Sequence, residues 1–426
     1  MEKRGQKYAG GGFQHLHKGI QHKGIRLWVW LIAALVALPD VSAALDRRKD
    51  QFPSEPGYMF LPLPYSIPGL GQGFFFIGYG SNLFGTYADG YLAVITGDAD
   101  GKLAGLNEIH LWPKTLLLEI YGEDISRATV NQYTKRGMSS GKKDYQVFEV
   151  NKANSRYGNL TLTLFDRMFE LSHFEQRQDV ALTRILDPEG NELQKIDPPA
   201  EISFKSSQSK IQLDYTDDYY DPRVGVRLWA AQSYSPRQTA NEPSYYVLDK
   251  SITGYIPVGA YSTWLFNLFA SDAVVTEKGE TDPARLAVLN PANCPPADPT
   301  CQNAIAANTY GTATSLGGRE RLQAYPRQRF VGAHSRYFGT EFRLNLTEEF
   351  TPFDYFIWKD VRTGVQVAFF YEQGSVADKP AEIGKHPRSS TGIGLRMVTA
   401  SGAVYRADLA GGDEGILPTI IVNYPY

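Results

Sequence analysis

The stretch AYPRQRFVGAHSRYFGTEFRLNLTEEFTPF (324–353), followed after a bend by VQVAFFYEQGSVAD (365–378), decides the fold. Phe338, Thr340, Phe342, Leu344 and Leu346 alternate with Gly339, Glu341, Arg343 and Asn345. Successive strand side chains point to opposite faces, so this strand has one apolar face and one charged face. In the next run Gln366, Ala368, Phe370, Glu372 and Gly374 alternate with Val365, Val367, Phe369 and Tyr371. The pair reads as the wall of a closed barrel. Glu341 and Arg343 line a polar interior, and the rest of the chain supplies the other staves.

Those staves are legible as alternating runs at 73–82, 91–98, 106–113, 115–122, 145–152, 159–166, 168–187 and 202–217. They continue at 224–231, 245–257, 261–270, 336–346, 364–376, 391–399, 404–410 and 418–426. Each run with its connection takes about 24 residues, normal for a barrel of roughly 10-residue tilted strands. The expected fold is all-β: a transmembrane antiparallel β-barrel of sixteen strands over 72–426, with 272–333 as one long connection.

Ahead of it, residues 1–43 read as an export signal. Lys3, Arg4, Lys7, Lys18, Lys23 and Arg26 precede the apolar run LWVWLIAALVAL (27–38) and the small-residue site Val41-Ser42-Ala43. That run is shorter than the roughly 20 residues of a spanning helix. Residues 44–71 read as a periplasmic tether, because Pro53, Pro56, Pro62, Pro64 and Pro68 oppose regular structure. Cys294 and Cys301, in a proline-containing loop of an exported chain, read as a disulfide staple.

The chemistry classes narrow quickly. A formal net charge of −3 without a basic stripe gives no footing for nucleic acid. There is no Gly-x-Ser-x-Gly elbow, Walker loop or His-Glu-x-x-His motif, so no catalytic residue, metal or cofactor is assigned and the chain is not read as an enzyme. His173 beside Ser172 comes nearest to a hydrolytic pair and is set aside. Asp217, Asp218 and Asp221 read either as a Ca²⁺-binding cluster or, more simply, as a polar turn.

Several motifs point to one family. FYEQGSVAD (370–378) resembles the aromatic-x-Asp-x-Gly strand of the BamA/TamA superfamily, outer-membrane barrels of the bacterial surface-antigen type. Phe370 and Gly374 match, and Glu372 stands in place of Asp. LQAYPRQRF (322–330), with Tyr325, resembles its Val/Leu-Arg-Gly-Tyr/Phe loop motif. TEFRLNLTEE (340–349) resembles the strand after that loop, and LDYTDDYYDPRVGVRL (213–228) its Asp-rich hairpin. The last half of the chain carries the resemblance; the first half follows by pattern.

The resemblance implies periplasmic termini and a long loop, 272–333, on the outer side with its tip folded into the lumen. It also implies a lock in which the loop arginine meets the acid of the inner wall. Here Gln323 stands at the arginine position and Ala324 at the glycine position. A Gln–Glu bond lacks the charge assistance of Arg–carboxylate, and an unpaired acid in a dry lumen is costly. Arg321, Arg327 and Arg329 are the candidates to supply that charge to Glu372. The implied function is insertion or transport of proteins or lipids at the bacterial outer membrane, through the seam of first and last strands, taken as 73–82 and 418–426. The expected partners are outer-membrane lipid and a periplasmic protein standing in for the repeated client-collecting domains of the family. The alternative is a passive channel for small solutes with the long loop as constriction.

Overall fold

The structure, a computed structural model, describes residues 46–422 apart from 53, 55, 68–70, 238, 290–298, 349–352, 356–357, 362 and 400–403. The chain divides into units 1–46 and 47–426. Of the first, Asp46 alone is described, so the export signal lies outside the described residues, as do Cys294 and 423–426. All that follows concerns the second unit.

Its strands are β1 (Gly57–Ile67), β2 (Gly71–Ser81), β3 (Asp89–Gly97), β4 (Asp100–Trp112), β5 (Leu116–Tyr133) and β6 (Tyr145–Leu164). Then come β7 (Phe169–Leu186), β8 (Glu192–Thr216), β9 (Gly225–Ser235), β10 (Ser244–Val258) and β11 (Ser262–Glu277). Helices α1 (Pro283–Leu289) and α2 (Pro299–Tyr310) lie in the long connection to β12 (His334–Asn345). The short hairpin β13 (Phe353–Tyr355) and β14 (Trp358–Val361) precedes β15 (Thr363–Ala377), β16 (Arg388–Thr399), β17 (Val404–Gly412) and β18 (Gly415–Val422). Sixteen of these strands, all but β13 and β14, pair antiparallel in sequence order and close into a barrel.

The outer face is apolar from strand to strand: Phe74, Leu92, Leu160, Leu268, Phe369 and Ile393 are all exposed. Water would not tolerate so large a contiguous apolar surface, whereas lipid solvates it, and closure leaves few sheet edges without a partner. No helix among the described residues is long and apolar enough to cross a membrane. The strands cross it instead. β5 to β8, with 18, 20, 18 and 25 residues, exceed the about 9–11 that a tilted spanning strand needs. The β5–β6 and β7–β8 hairpins therefore stand beyond the bilayer at the distal end, opposite the proximal end at which β1 begins.

Two sequence expectations are corrected, and they offset in the strand count. Residues 145–152 and 159–166 form one strand, β6, rather than two. The turn-like Asn154–Gly158 is held extended from both sides: Tyr157 stacks on Tyr121 at 4.8 Å and leans on Phe174 at 5.2 Å. Conversely, the barrel does not begin after a tether ending at residue 71, because β1 occupies 57–67. Pro62 and Pro64 did not exclude a strand because they face outward at an edge where few donors are required. The seam is therefore β1–β18 and not the pair 73–82 with 418–426. The α2 residue Cys301 is buried and disulfide-bonded.

Candidate functional site

The inner wall of β12, β15, β16 and β17 carries charges that alternation places inward. Glu341 accepts from Arg343 Nε at 2.6 Å and from Arg396 Nη2 at 3.1 Å. Arg396 Nη1 reaches across to Asp408, whose second oxygen faces Arg406 Nη1 at 3.1 Å. All five side chains are buried. Buried charge is tolerable when paired, and each acid here bridges two arginines. A Cβ at Gly394 would collide with both Arg396 and Asp408, so the glycine leaves the space in which that pair meets.

Onto this wall folds the tip of the connection from 278 to 333. Leu316 and Phe330 exchange backbone hydrogen bonds, each at 2.9 Å, and close the tip on itself. Leu316, Leu322, Tyr325 and Phe330 are fully buried and pack against Phe269, Tyr337 and Phe370 of the wall. Apolar contact thus holds the loop, and polar contacts set its position. The Gln323 peptide N–H donates to Glu372 Oε2 at 2.7 Å, and Gln323 Nε2 approaches Oε1 at 3.4 Å. Tyr337 donates its hydroxyl to Glu372 Oε1 at 2.7 Å. The next peptide N–H, of Ala324, donates to Ser390 Oγ at 3.1 Å, and Tyr325 donates its hydroxyl to the Ser389 carbonyl at 3.2 Å.

The structure thus brings Gln323 to Glu372, but the charge does not come from the arginines expected. Arg321 stacks on the Phe269 ring at 3.6 Å and pairs with Glu320 at 3.3 Å. Arg327 packs across Gly318 within the loop. Arg329 makes a bidentate pair with Glu414 at 2.6–3.0 Å and holds Ser140 at 2.7 Å, tying the tip to two distal turns. The nearest cation on the lock is Arg406 of β17, which donates to Gln323 Oε1 at 3.3 Å and to the Arg319 carbonyl. Arg396, Arg406 and Asp408 were missed in the sequence. Their signal was available: charges at alternate positions of strands whose other face is apolar.

Phe370 and Gly374 flank Glu372 on the same face. Gly374 sits beneath the loop: a Cβ there would lie 2.5 Å from Leu316 Cδ1 and 3.3 Å from Leu322 Cδ1. Gly374→Val is therefore expected to lift the tip, at a cost of about 1–3 kcal/mol for overpacking. The readouts are the urea midpoint of the barrel in vesicles and the rate of trypsin cleavage at Arg327 and Arg329. An unchanged midpoint and cleavage rate would contradict the packing described.

The Asp-rich turn is occupied by cations of the chain itself: Arg48 at Asp217, Asp218 and Asp221, Lys49 at Asp218, and Arg223 at Asp221. His173 faces Ser209 at 3.0 Å on the outer surface, with Ser172 turned to the opposite face.

The seam is the second feature. β1 pairs along its whole length with β2 but, among the described residues, meets β18 at one position, Ser66↔Ile420. Prolines at alternate positions leave one strand edge without donors. Since β2 pairs throughout, the depleted edge at Pro62 and Pro64 is the one turned to β18, and Ser66 is the next position of that set with an N–H. A lumenal cavity of about 960 Å³ reaches this seam. It is lined mostly by inward side chains of β2 to β8, among them Phe75, Tyr91 and Lys210, and at the seam by the outward Pro64, Leu395 and Ile420.

No family model and no curated protein matches the chain. Among solved structures, it is similar to BamA from Haemophilus ducreyi lacking POTRA domains 1-3, with TM-score 0.48 and 11% identity over 88% of this chain and 76% of that one. It is similar to CdiB from Escherichia coli, with TM-score 0.49 and 11% identity over 88% and 67%. It is also similar to CdiB from Acinetobacter baumannii, with TM-score 0.45 and 12% identity over 85% and 59%. The sixteen-stranded closure itself is read from the chain's own strand pairing.

Proposed function

We propose that this chain is a bacterial outer-membrane barrel that inserts or moves proteins or lipids along the β1–β18 seam, with its lumen held shut by the loop tip. The observation that carries the reading is the seam: among the described residues, one paired position beside a cavity to which both inward and outward side chains contribute. A passive pore has no use for a weak closure, since its solute travels down the lumen. A protein strand or lipid chain moving sideways needs one, because pairing must open before an edge is available. Residues Gln323, Tyr325, Glu372 and Tyr337 act in this reading as the lock that keeps the lumen shut while the seam works.

The test locks the seam. Ser66 and Ile420 are direct partners, within reach of a disulfide across an antiparallel pair. Ser66→Cys with Ile420→Cys, in a background with Cys294 and Cys301 as serine, is reconstituted in vesicles. Reduced protein is expected to speed folding of an unfolded small outer-membrane barrel into those vesicles, and oxidation to abolish the gain. Equal acceleration in both redox states would remove the seam from the mechanism. Large, steady currents through wild-type protein in planar bilayers would favour the passive channel.

A further inference from the structure

Residues 47–52, Arg-Arg-Lys-Asp-Gln-Phe, are seated in the proximal mouth through their side chains. Arg47 donates to the carbonyls of Thr216 at 2.7 Å and Asp166 at 2.9 Å. The Arg48 peptide N–H donates to the Asp217 carbonyl at 2.8 Å, and its guanidinium to Asp218 Oδ2 at 2.7 Å and the Asp221 carbonyl at 2.8 Å. Lys49 Nζ lies 2.9 Å from the same Asp218 oxygen. Gln51 is fully buried and accepts the Tyr219 peptide N–H at 2.7 Å. Phe52, 2% exposed, lies under the Arg167 guanidinium at 4.8 Å with the edge of His110 at 5.4 Å.

The turn between β8 and β9 is built to receive cations. Asp217 Oδ1 accepts the peptide N–H groups of Arg223 and Val224, which caps the turn. Asp218 and Asp221 are buried, and Arg223, 3.5 Å from Asp221, is also drawn away to Glu348 at 2.8 Å. Asp214 is already matched by Arg227 at 2.9 Å. Within the turn, three carboxylates therefore face one arginine, and Arg48 and Lys49 supply the balance. The segment belongs to no strand, so it can leave without unpairing any ladder.

We propose that Asp217, Asp218 and Asp221, with the slot between His110 and Arg167, form a receptor for a cationic peptide bearing an aromatic residue three or four positions further on. Residues 47–52 are its tethered occupant, and a second peptide of the same chemistry displaces them. Tethering places the occupant at an effective concentration in the millimolar range, so a free peptide competes poorly until the tethered one is weakened.

The experiment uses a fluorescent peptide of residues 46–54 and the full chain in vesicles. The variant carrying Arg48→Ala, Lys49→Ala and Phe52→Ala is expected to bind the peptide at least about tenfold more tightly than wild type. Adding Asp218→Asn, or raising the salt, is expected to remove that gain. A folded triple variant that does not bind, or that binds regardless of Asp218, overturns the proposal. So does a triple variant that cannot form the heat-modifiable barrel, since the segment would then be a fixed part of the fold. A second measurement keeps the segment otherwise native: Gln51→Cys should react with a maleimide faster when excess free peptide is present, and an unchanged rate is equally fatal. Peptide occupancy is read without reference to the seam, so this proposal and the insertion reading fail separately.

Discussion

Arg396→Ala is expected to destabilise the barrel by about 3–5 kcal/mol, the usual cost of removing one partner from a buried ionic cluster. Arg396 is fully buried and bridges Glu341 and Asp408. Its removal leaves each carboxylate a single arginine, Arg343 on one side and Arg406 on the other. Both acids stay in the interior because they stand mid-strand on an inward face, where they cannot turn toward bulk water. Urea unfolding in vesicles measures the loss. Arg396→Lys should recover only part of it, since a point charge cannot reproduce two directed contacts from one planar group. A loss below about 1 kcal/mol would mean that water penetrates the cluster and solvates the acids, the ordinary behaviour of exposed pairs.

Deleting residues 318–332 is expected to convert small, flickering currents into large, steady ones in planar bilayers. The segment holds Leu322, Tyr325 and Phe330 against the wall and closes the contact between Gln323 and Glu372. Without it, a sixteen-stranded barrel is wide enough for an aqueous channel. The barrel itself should still form, because β11 and β12 remain paired from Ser262↔Leu344 to Asp272↔His334. Glu372 would then face water rather than an apolar tip. Glu372→Ala alone should give an intermediate result, since apolar packing still holds the tip while its polar anchor is gone. Currents of equal size in wild type and deletion would show that the tip does not close the lumen.

Much of the wall was readable before any coordinates. Glu341, Arg343, Phe370, Glu372 and Gly374 all point inward as their two-residue period requires, because a strand has no other way to place alternate side chains. The same rule, carried to β16 and β17, would have drawn out Arg396, Arg406 and Asp408. Proline content was the weaker guide. It excluded 57–67 as a strand when the relevant question was which edge lacked donors, and that depends on the neighbouring strand.

Periodicity therefore determined the barrel, its polar interior and the faces on which its charged residues lie, since these follow from local backbone geometry. Which charges meet was decided only by closure. Arg406 lies 83 residues from Gln323 along the chain, and Arg48 lies 170 from Asp218, yet each pair is in contact. Such contacts depend on register, on the tilt of the strands and on where a long loop comes to rest, none of which is encoded in a local pattern.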